Sequence, residues 1–105
     1  MATELFMEIG DRLRERRRQM GMTQEDVAAL LGISVTYYGE IERGKRQLSV
    51  SRILNIYEKL DLDPTYLLTG EQITGKALYE VMKDCPKEKE PILEQILRCL
   101  ALLYK

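Results

Sequence analysis

Glycines cut the first 70 residues of this chain into short amphipathic segments, and their spacing limits the folds that the chain can adopt. From Leu5 onward, apolar side chains recur every three to four residues until Gly21. Two further segments, 24–31 and 35–43, each follow a hydroxyl residue that can cap a helix and precede a glycine that can end one. The pattern therefore predicts three helices separated by sharp turns.

Two more helical segments follow in the same region. After Ser49, apolar residues repeat with helical spacing as far as Leu60. Asp63 and Pro64 then occupy the positions of a helix cap and a first helical residue, ahead of a brief segment that ends at Gly70. Since the sequence contains neither a run of alternating β-branched residues nor an internal repeat, we expect an all-α domain of five helices.

Residues 71–105 are predicted to form a helical appendage to a compact domain of residues 1–70. One amphipathic helix passes through Leu78, Val81 and Met82, and a charged stretch between two prolines then predicts a loop. The last fifteen residues carry a broad apolar stripe along a further helix. The members of this stripe are Ile92, Leu93, Ile96, Leu97, Leu100, Leu103 and Tyr104.

A stripe of this size has to be buried, because each large apolar side chain that leaves water stabilises the protein by about 1.5–3 kcal/mol. Two arrangements achieve this. The stripe can pack back on the core of its own chain, or it can pair with the same stripe of a second chain. The short length of the chain favours the second arrangement, and we predict a homodimer.

The composition excludes most catalytic chemistry. The chain has no His and two Cys, so it can supply neither an imidazole base nor a four-thiolate zinc site. Its paired acids lie in a charged loop or at a helix cap, where solvation is their ordinary role. We predict that the protein is not an enzyme and carries no metal or cofactor.

The N-terminus does not resemble a secretory signal, and the longest apolar run, 99–104, is too short to span a membrane. We therefore expect a cytoplasmic protein without a membrane partner. In that compartment Cys85 and Cys99 are expected to be reduced thiols, the alternative being an intermolecular or regulatory disulfide.

The net charge of −1 argues against a nucleic-acid partner, but the distribution of the charges argues for one. Residues 12–18 hold five arginines and one Glu, while residues 43–52 hold four basic groups and no acid. The acidic residues cluster elsewhere, chiefly at 58–63 and 80–94. A balanced total can therefore hide one basic face.

Segments 24–31 and 35–43 have the features of a helix-turn-helix. Two short helices joined by so short a turn cross steeply, so the small Ala28 lets the backbones approach and Gly32 can take the positive φ of the corner. The side chains expected to point inward are Val27, Leu31, Ile33, Tyr38 and Ile41. Those left on the outer face of the second helix are Val35, Thr36, Tyr37 and Glu40. A helix presented in this way matches the width of the major groove of B-DNA.

Residues 9–70 resemble the phage-repressor-type helix-turn-helix family, the Cro/repressor or XRE-like domains. The likeness rests on three stretches in the order and spacing of that family, LRERRRQMGMTQEDVAALLGIS, YGEIERGKR and LDLDPTYLLTG. It implies a five-helix, lambda-repressor-like fold whose third helix enters the major groove, from a two-fold dimer on a palindromic operator. The implied partner is double-stranded DNA, and the implied function is sequence-specific transcriptional regulation, in particular repression.

Carried over by position, the resemblance also implies a site. The phosphate contacts that it implies are made by Gln24, Arg14, Arg43, Lys45 and Arg46. The side chains that it places against base edges are Val35, Thr36, Tyr37 and Glu40. Their chemistry would let Val35 and Tyr37 meet thymine methyl groups and let Glu40 accept a hydrogen bond from cytosine N4, while Thr36 can bond a donor or an acceptor.

Arg17 and Glu42 correspond to an ion pair that, in the family, joins the first helix to the end of the third. A guanidinium on the apolar face of a helix needs such a partner, because an unpaired buried charge is costly. The alternative is that Arg17 mainly contacts a phosphate.

The chain also departs from the family pattern. Its recognition helix offers no Gln, Arg or Asn on the outer face, which favours modest or shape-driven specificity. Gly39 inside that helix costs about 1 kcal/mol relative to Ala, and Asp61 stands where relatives often have Gly. This chemistry, with the slight acidity of the chain, supports an alternative in which the protein acts mainly through a protein partner, as an antitoxin or a regulator-binding module.

Overall fold

The computed structural model describes residues 2–71 and 77–103, and every regular element among them is a helix. The prediction of an all-α fold is confirmed. The helices are α1 (Ala2–Gln19), α2 (Gln24–Leu31), α3 (Val35–Glu42), α4 (Val50–Leu60), α5 (Pro64–Thr69), α6 (Ala77–Lys83) and α7 (Glu90–Leu103). A short 3-10 turn, Lys87–Lys89, stands where the sequence predicts a charged loop.

Capping groups explain why the short helices begin and end where they do. Thr23 forms a reciprocal capping box with Asp26 at the start of α2, with both hydrogen bonds at 3.0 Å. Gly32 ends α2 in the left-handed conformation, with φ 76°, and the Ser34 hydroxyl then accepts a hydrogen bond from the Tyr37 N–H to open α3. The corner between the two helices is therefore set by local sequence.

The helices pack as two compact units, residues 1–48 and 49–105. The second unit holds α4 and α5 together with α6 and α7, because α7 packs on both α4 and α5. The structure thus divides at residue 48, whereas the sequence predicts that the DNA-binding domain ends at residue 70. That domain boundary stays a prediction.

In the first unit, α3 packs against both α1 and α2. The apolar core of this unit contains Leu5, Ile9, Leu13, Val27, Leu31, Tyr38 and Ile41. Helical spacing alone would also place Phe6 and Met20 on the inner side of α1, but Phe6 is half-buried and Met20 is exposed, because α1 turns its Leu5, Ile9 and Leu13 side inward and ends before Met20. Ile33, expected to point inward, is half-buried.

Two glycines let α1 approach the end of α3 closely. A Cβ atom at Gly10 would lie 2.7 Å from both the carbonyl carbon of Glu42 and the carbonyl oxygen of Ile41. A Cβ atom at Gly44, which has φ 77°, would lie 2.7 Å from the backbone nitrogen of Met7. Since these neighbours are backbone atoms, only a residue without a side chain fits at either place.

The second unit is built around the buried face of α4, formed by Val50, Ile53, Ile56 and Leu60. On α7, Leu93, Leu97 and Ala101 are buried. The Glu94 carboxylate accepts a hydrogen bond of 3.0 Å from the backbone N–H of Val50, and so satisfies one of the free donors at the start of α4. Two of the seven residues of the predicted apolar stripe, Leu93 and Leu97, are therefore buried within the chain.

Two corners of this unit differ from expectation. Asp63 precedes α5 as predicted, but its side chain makes no capping hydrogen bond. Asp61 ends α4 in the left-handed conformation, with φ 52°, the only positive φ of a non-glycine residue in the described ranges. Short polar side chains tolerate this conformation better than most, which explains why Asp can occupy a position where the resemblance implies Gly.

Gly10→Ala should lower the free energy of unfolding by about 1–3 kcal/mol, the usual cost of overpacking, because the new methyl group meets backbone atoms of α3. Gly39→Ala is the matched control. Its methyl group would lie 3.0 Å from the end of the Arg43 side chain, which can move, and Ala improves helix propensity by about 1 kcal/mol. Urea denaturation followed by circular dichroism measures the free energy of unfolding of both variants. Equal decreases in the two variants would contradict the close approach of α1 to α3 at Gly10.

Candidate nucleic-acid interface

Helix α3 has one buried side and one side open to solvent. Tyr38, Ile41 and Glu42 are almost completely buried, with exposed fractions of 0–1%. On the other side Thr36 is exposed and Tyr37 and Glu40 are half-buried, while Val35 is exposed at the N-terminal end of the helix. All four side chains predicted to face base edges therefore keep an accessible surface.

The buried end of α3 is held by a hydrogen-bond network centred on the Glu42 carboxylate, whose side chain has no exposed area. Arg17 on α1 donates from Nε to Oε2 at 2.7 Å and from Nη2 to Oε1 at 3.3 Å. Gln24 on α2 donates from Nε2 to Oε1 at 3.0 Å. The guanidinium of Arg14 lies 3.5 Å from the same oxygen. One carboxylate thus connects three helices.

The charges of this network support one another. Burial disfavours ionisation of Glu42, but the neighbouring side chains, the Arg17 guanidinium first among them, outweigh it, so the pKa of Glu42 lies below its ordinary value. The hydrogen bond to Glu42 also raises the pKa of Arg17. Burial raises the pKa of Tyr38, whose hydroxyl has no hydrogen-bond partner among the described residues. Glu42 and Arg17 are therefore both charged at neutral pH, beside a neutral phenol.

The structure places Arg17 and Glu42 together, as the resemblance implies, and adds two members that the sequence did not indicate. Gln24 and Arg14, both expected to contact phosphates, are engaged by Glu42. Arg17 also donates from Nη1 to the carbonyl oxygen of Met22, at 3.1 Å. Sequence spacing cannot reveal these contacts, since they join residues 5 to 28 positions apart.

A second polar cluster lies on the accessible side of α3. Arg46 donates from Nε to Oε1 of Glu40 at 3.2 Å, and its Nη2 lies 3.2 Å from the same oxygen. The Arg46 guanidinium carbon also lies 5.0 Å from the centre of the Tyr37 ring, a cation–π contact. Two expected base-contacting residues are thus joined to an expected phosphate-contacting residue.

Arg43 and Lys45 are exposed in the turn after α3, and neither forms an ion pair with any described residue. The Arg43 guanidinium lies against Gly39, where it would be 3.0 Å from a Cβ atom. The ends of the Arg43 and Gln24 side chains thus occupy the space beside Gly39 on α3.

Of the residues expected to form a dimer interface, some are buried within the chain and others are exposed. Leu93 and Leu97 are 8% and 2% exposed and face the interior of their own unit, because α7 packs on α4 and α5. Leu100 is half-buried. Ile92, Ile96 and Leu103 remain 60%, 57% and 80% exposed, while Tyr104 lies outside the described residues. Only part of the predicted stripe is thus available to a second chain.

Other kinds of site are not indicated within residues 2–71 and 77–103. No three His, Cys, Asp or Glu side chains in these ranges converge as metal ligands. None of the helices in the same part of the chain combines the length and the apolar character needed to cross a membrane.

Glu42→Gln should lower the free energy of unfolding at pH 7 by about 3 kcal/mol, because Arg17 loses its charged partner. The pKa of Glu42 is lower in the folded chain than its ordinary 4.5, so the ionic stabilisation is complete above that value. It disappears as the pH falls through the lower, folded pKa. The difference between the two proteins should therefore shrink on acidification.

Asp11→Asn is the control for this experiment, since Asp11 pairs with Arg14 at 3.2 Å but its side chain is 65% exposed. Its loss should cost no more than about 1 kcal/mol. Urea denaturation from neutral pH down to about pH 3 measures all three proteins. Equal effects of the two substitutions at pH 7 would contradict a special role for Glu42.

Comparisons with known proteins agree with this architecture. The sequence pattern of the helix-turn-helix family matches residues 13–67. An uncharacterized HTH-type transcriptional regulator of Bacillus subtilis, YazB, is 41% identical over 63 residues, which are 60% of this chain and 91% of that protein. The HTH-type transcriptional regulator DdrOP3 of Deinococcus deserti is 30% identical over 69 residues, 66% of this chain and 54% of that protein.

A further relative is much longer than the match. The propionyl-CoA carboxylase regulator of Cereibacter sphaeroides is 35% identical over 71 residues, 68% of this chain but only 15% of that regulator. The family match, residues 13–67, begins within α1 and ends within α5, and it contains the Glu42 network and the whole of α3. By its sequence pattern and by its structure, this chain belongs to the XRE-type helix-turn-helix family.

Proposed function

We propose that this protein is a cytoplasmic, DNA-binding transcriptional regulator that acts by binding and not by catalysis. The observation that carries the proposal is the anchoring of the C-terminal end of α3 through the buried Glu42 carboxylate, while Val35 and Thr36 in the first turn of the helix are exposed. An anchored helix with one accessible side is the geometry needed for reading a major groove. The names of the similar proteins, several of them HTH-type transcriptional regulators, support the same function.

In this proposal the exposed side of α3 faces the base edges. Val35 would contact a thymine methyl group, and Thr36 would form a hydrogen bond with a base. Arg43 and Lys45 are the principal phosphate contacts, because they are exposed cations without an acidic partner among the described residues. Gln24 and Arg14 contribute less, since Glu42 already engages both side chains.

We further propose that the regulator binds a palindromic operator as a homodimer through α7. The exposed residues Ile92, Ile96, Cys99 and Leu103 follow one another at steps of four, three and four positions, the spacing of a coiled-coil seam. The opposite face of α7 is buried within the chain. An exposed apolar face on a helix that is already buried on another face needs a further partner, which a second copy would provide.

A bound dimer would act as a repressor by covering the operator and excluding the polymerase. The two copies would read half-sites about 34 Å apart, one turn of DNA. A protein partner is the alternative occupant of the exposed face of α7, and it becomes the better explanation if the protein selects no DNA sequence.

Selection from a randomised duplex library, with sequencing of the retained DNA, tests operator binding. The expected result is a palindromic motif with half-sites about one turn apart. Arg43→Ala with Lys45→Ala should weaken binding to every sequence and reduce the salt dependence of log K by about two units, one for each lost phosphate contact. An unchanged salt slope would contradict the placement of the phosphate contacts, and absence of any enriched sequence would contradict operator binding itself.

Ile96→Glu with Leu103→Glu should convert the dimer to a monomer and weaken operator binding, without loss of the fold, because both side chains are more than half exposed. Leu30→Glu, which places the same acid at an exposed apolar position of α2, should leave the dimer intact. Sedimentation equilibrium gives the mass of each variant. A wild-type protein that is monomeric at the concentrations where it binds its operator would overturn the dimer proposal.

A further inference from the structure

Arg46 lies over the accessible side of α3, although it follows the last residue of that helix by four positions. Its guanidinium is placed by two residues of α3, the ring of Tyr37 at 5.0 Å and the carboxylate of Glu40 at 3.2 Å. The recognition surface therefore carries a guanidinium that the sequence of the helix itself does not provide.

The way in which Glu40 binds this guanidinium leaves one of its edges open. Nε and Nη2 of Arg46 both approach the same oxygen, Oε1 of Glu40. Nη1 makes no hydrogen bond to any residue that the structure describes. The edge formed by Nη1 and Nη2 can still donate two parallel hydrogen bonds, the arrangement that matches O6 and N7 of guanine in the major groove.

The pairing of Glu40 with Arg46 also affects the charge of this surface. A lone carboxylate at Glu40 would face the negative potential of DNA, whereas its pairing with Arg46 makes the surface locally neutral. The ring of Tyr37 restricts the plane of the guanidinium. Because the guanidinium is already restricted before binding, it loses less conformational entropy when it forms an oriented contact. A base contact requires such orientation, whereas a phosphate contact requires little.

We propose that Arg46 reads a base, donating two hydrogen bonds to a guanine in each half-site, with Glu40 and Tyr37 as positioning residues. The inference rests on the operator binding proposed above, and it replaces the phosphate contact that the resemblance implies for Arg46. It also supplies the bidentate base contact that the outer face of α3 lacks in its own sequence.

The test compares base preferences of the wild type and Arg46→Ala in the library selection. The wild-type motif should contain one guanine per half-site that Arg46→Ala no longer selects, while the other positions of the motif persist. In direct titrations, Arg46→Ala should bind the best site about 5- to 150-fold more weakly. It should bind a site with that base pair replaced almost as well as the wild type does. Arg43→Ala, the control, should weaken binding to both sites by the same factor.

Two variants of Glu40 test its positioning role. Glu40→Ala should lose preference at the same position of the motif as Arg46→Ala. Glu40→Gln should retain part of it, because the amide oxygen can still accept a hydrogen bond from Nε. The thermal midpoints of both should match the wild type, since Glu40 lies outside the buried core. A shift of preference at another position, or none, would contradict the positioning role.

Two results would overturn the inference in distinguishable ways. If Arg46→Ala weakens binding to the best site and to the substituted site equally, and lowers the salt slope by about one unit, Arg46 is a phosphate contact and operator binding still stands. If the wild type enriches no sequence, operator binding fails and the base contact fails with it.

Discussion

The candidate nucleic-acid interface depends on a buried carboxylate, Glu42, at the end of α3. Glu42 is opposed both by burial and by the negative end of the α3 dipole, so it is tolerated only because Arg17 and Gln24 bind it. Those partners lie on α1 and α2. The need to satisfy one charge therefore fixes three helices relative to one another. Such a pair contributes orientation more than net stability, and orientation is what a reading helix requires.

Close backbone packing makes this arrangement possible. Gly10 allows α1 to reach the carbonyl groups at the end of α3, and Gly44 lets the following turn pass beside Met7. Gly39 differs from these two glycines, because the guanidinium of Arg43 packs beside it where a side chain would lie. Glycines that weaken helices locally thus serve the packing around the Glu42 network. The same turn returns Arg46 to the outer side of α3, where it meets Glu40.

In the second unit, one face of α7 packs into the core and another face is exposed. Leu93 and Leu97 complete a core with α4 and α5, and Glu94 caps the start of α4. The face that carries Ile92 and Ile96 is left exposed with little charge. Core packing and pairing were alternatives at the level of sequence, but the structure makes them compatible, because they use different faces of α7. A single apolar stripe in the sequence contained two surfaces.

Much of this protein follows from its sequence. Glycine stops, hydroxyl caps and helical periodicity determined the helices through α5, and the corner at Gly32, because these signals act over a few residues. The sequence also indicated Arg17 with Glu42, through a resemblance. Only the tertiary structure decided that Gln24 joins that pair, that Arg46 reaches Glu40, and which face of α7 is covered. These contacts join residues that neither helical periodicity nor local capping relates, so only the packing of whole helices brings them together.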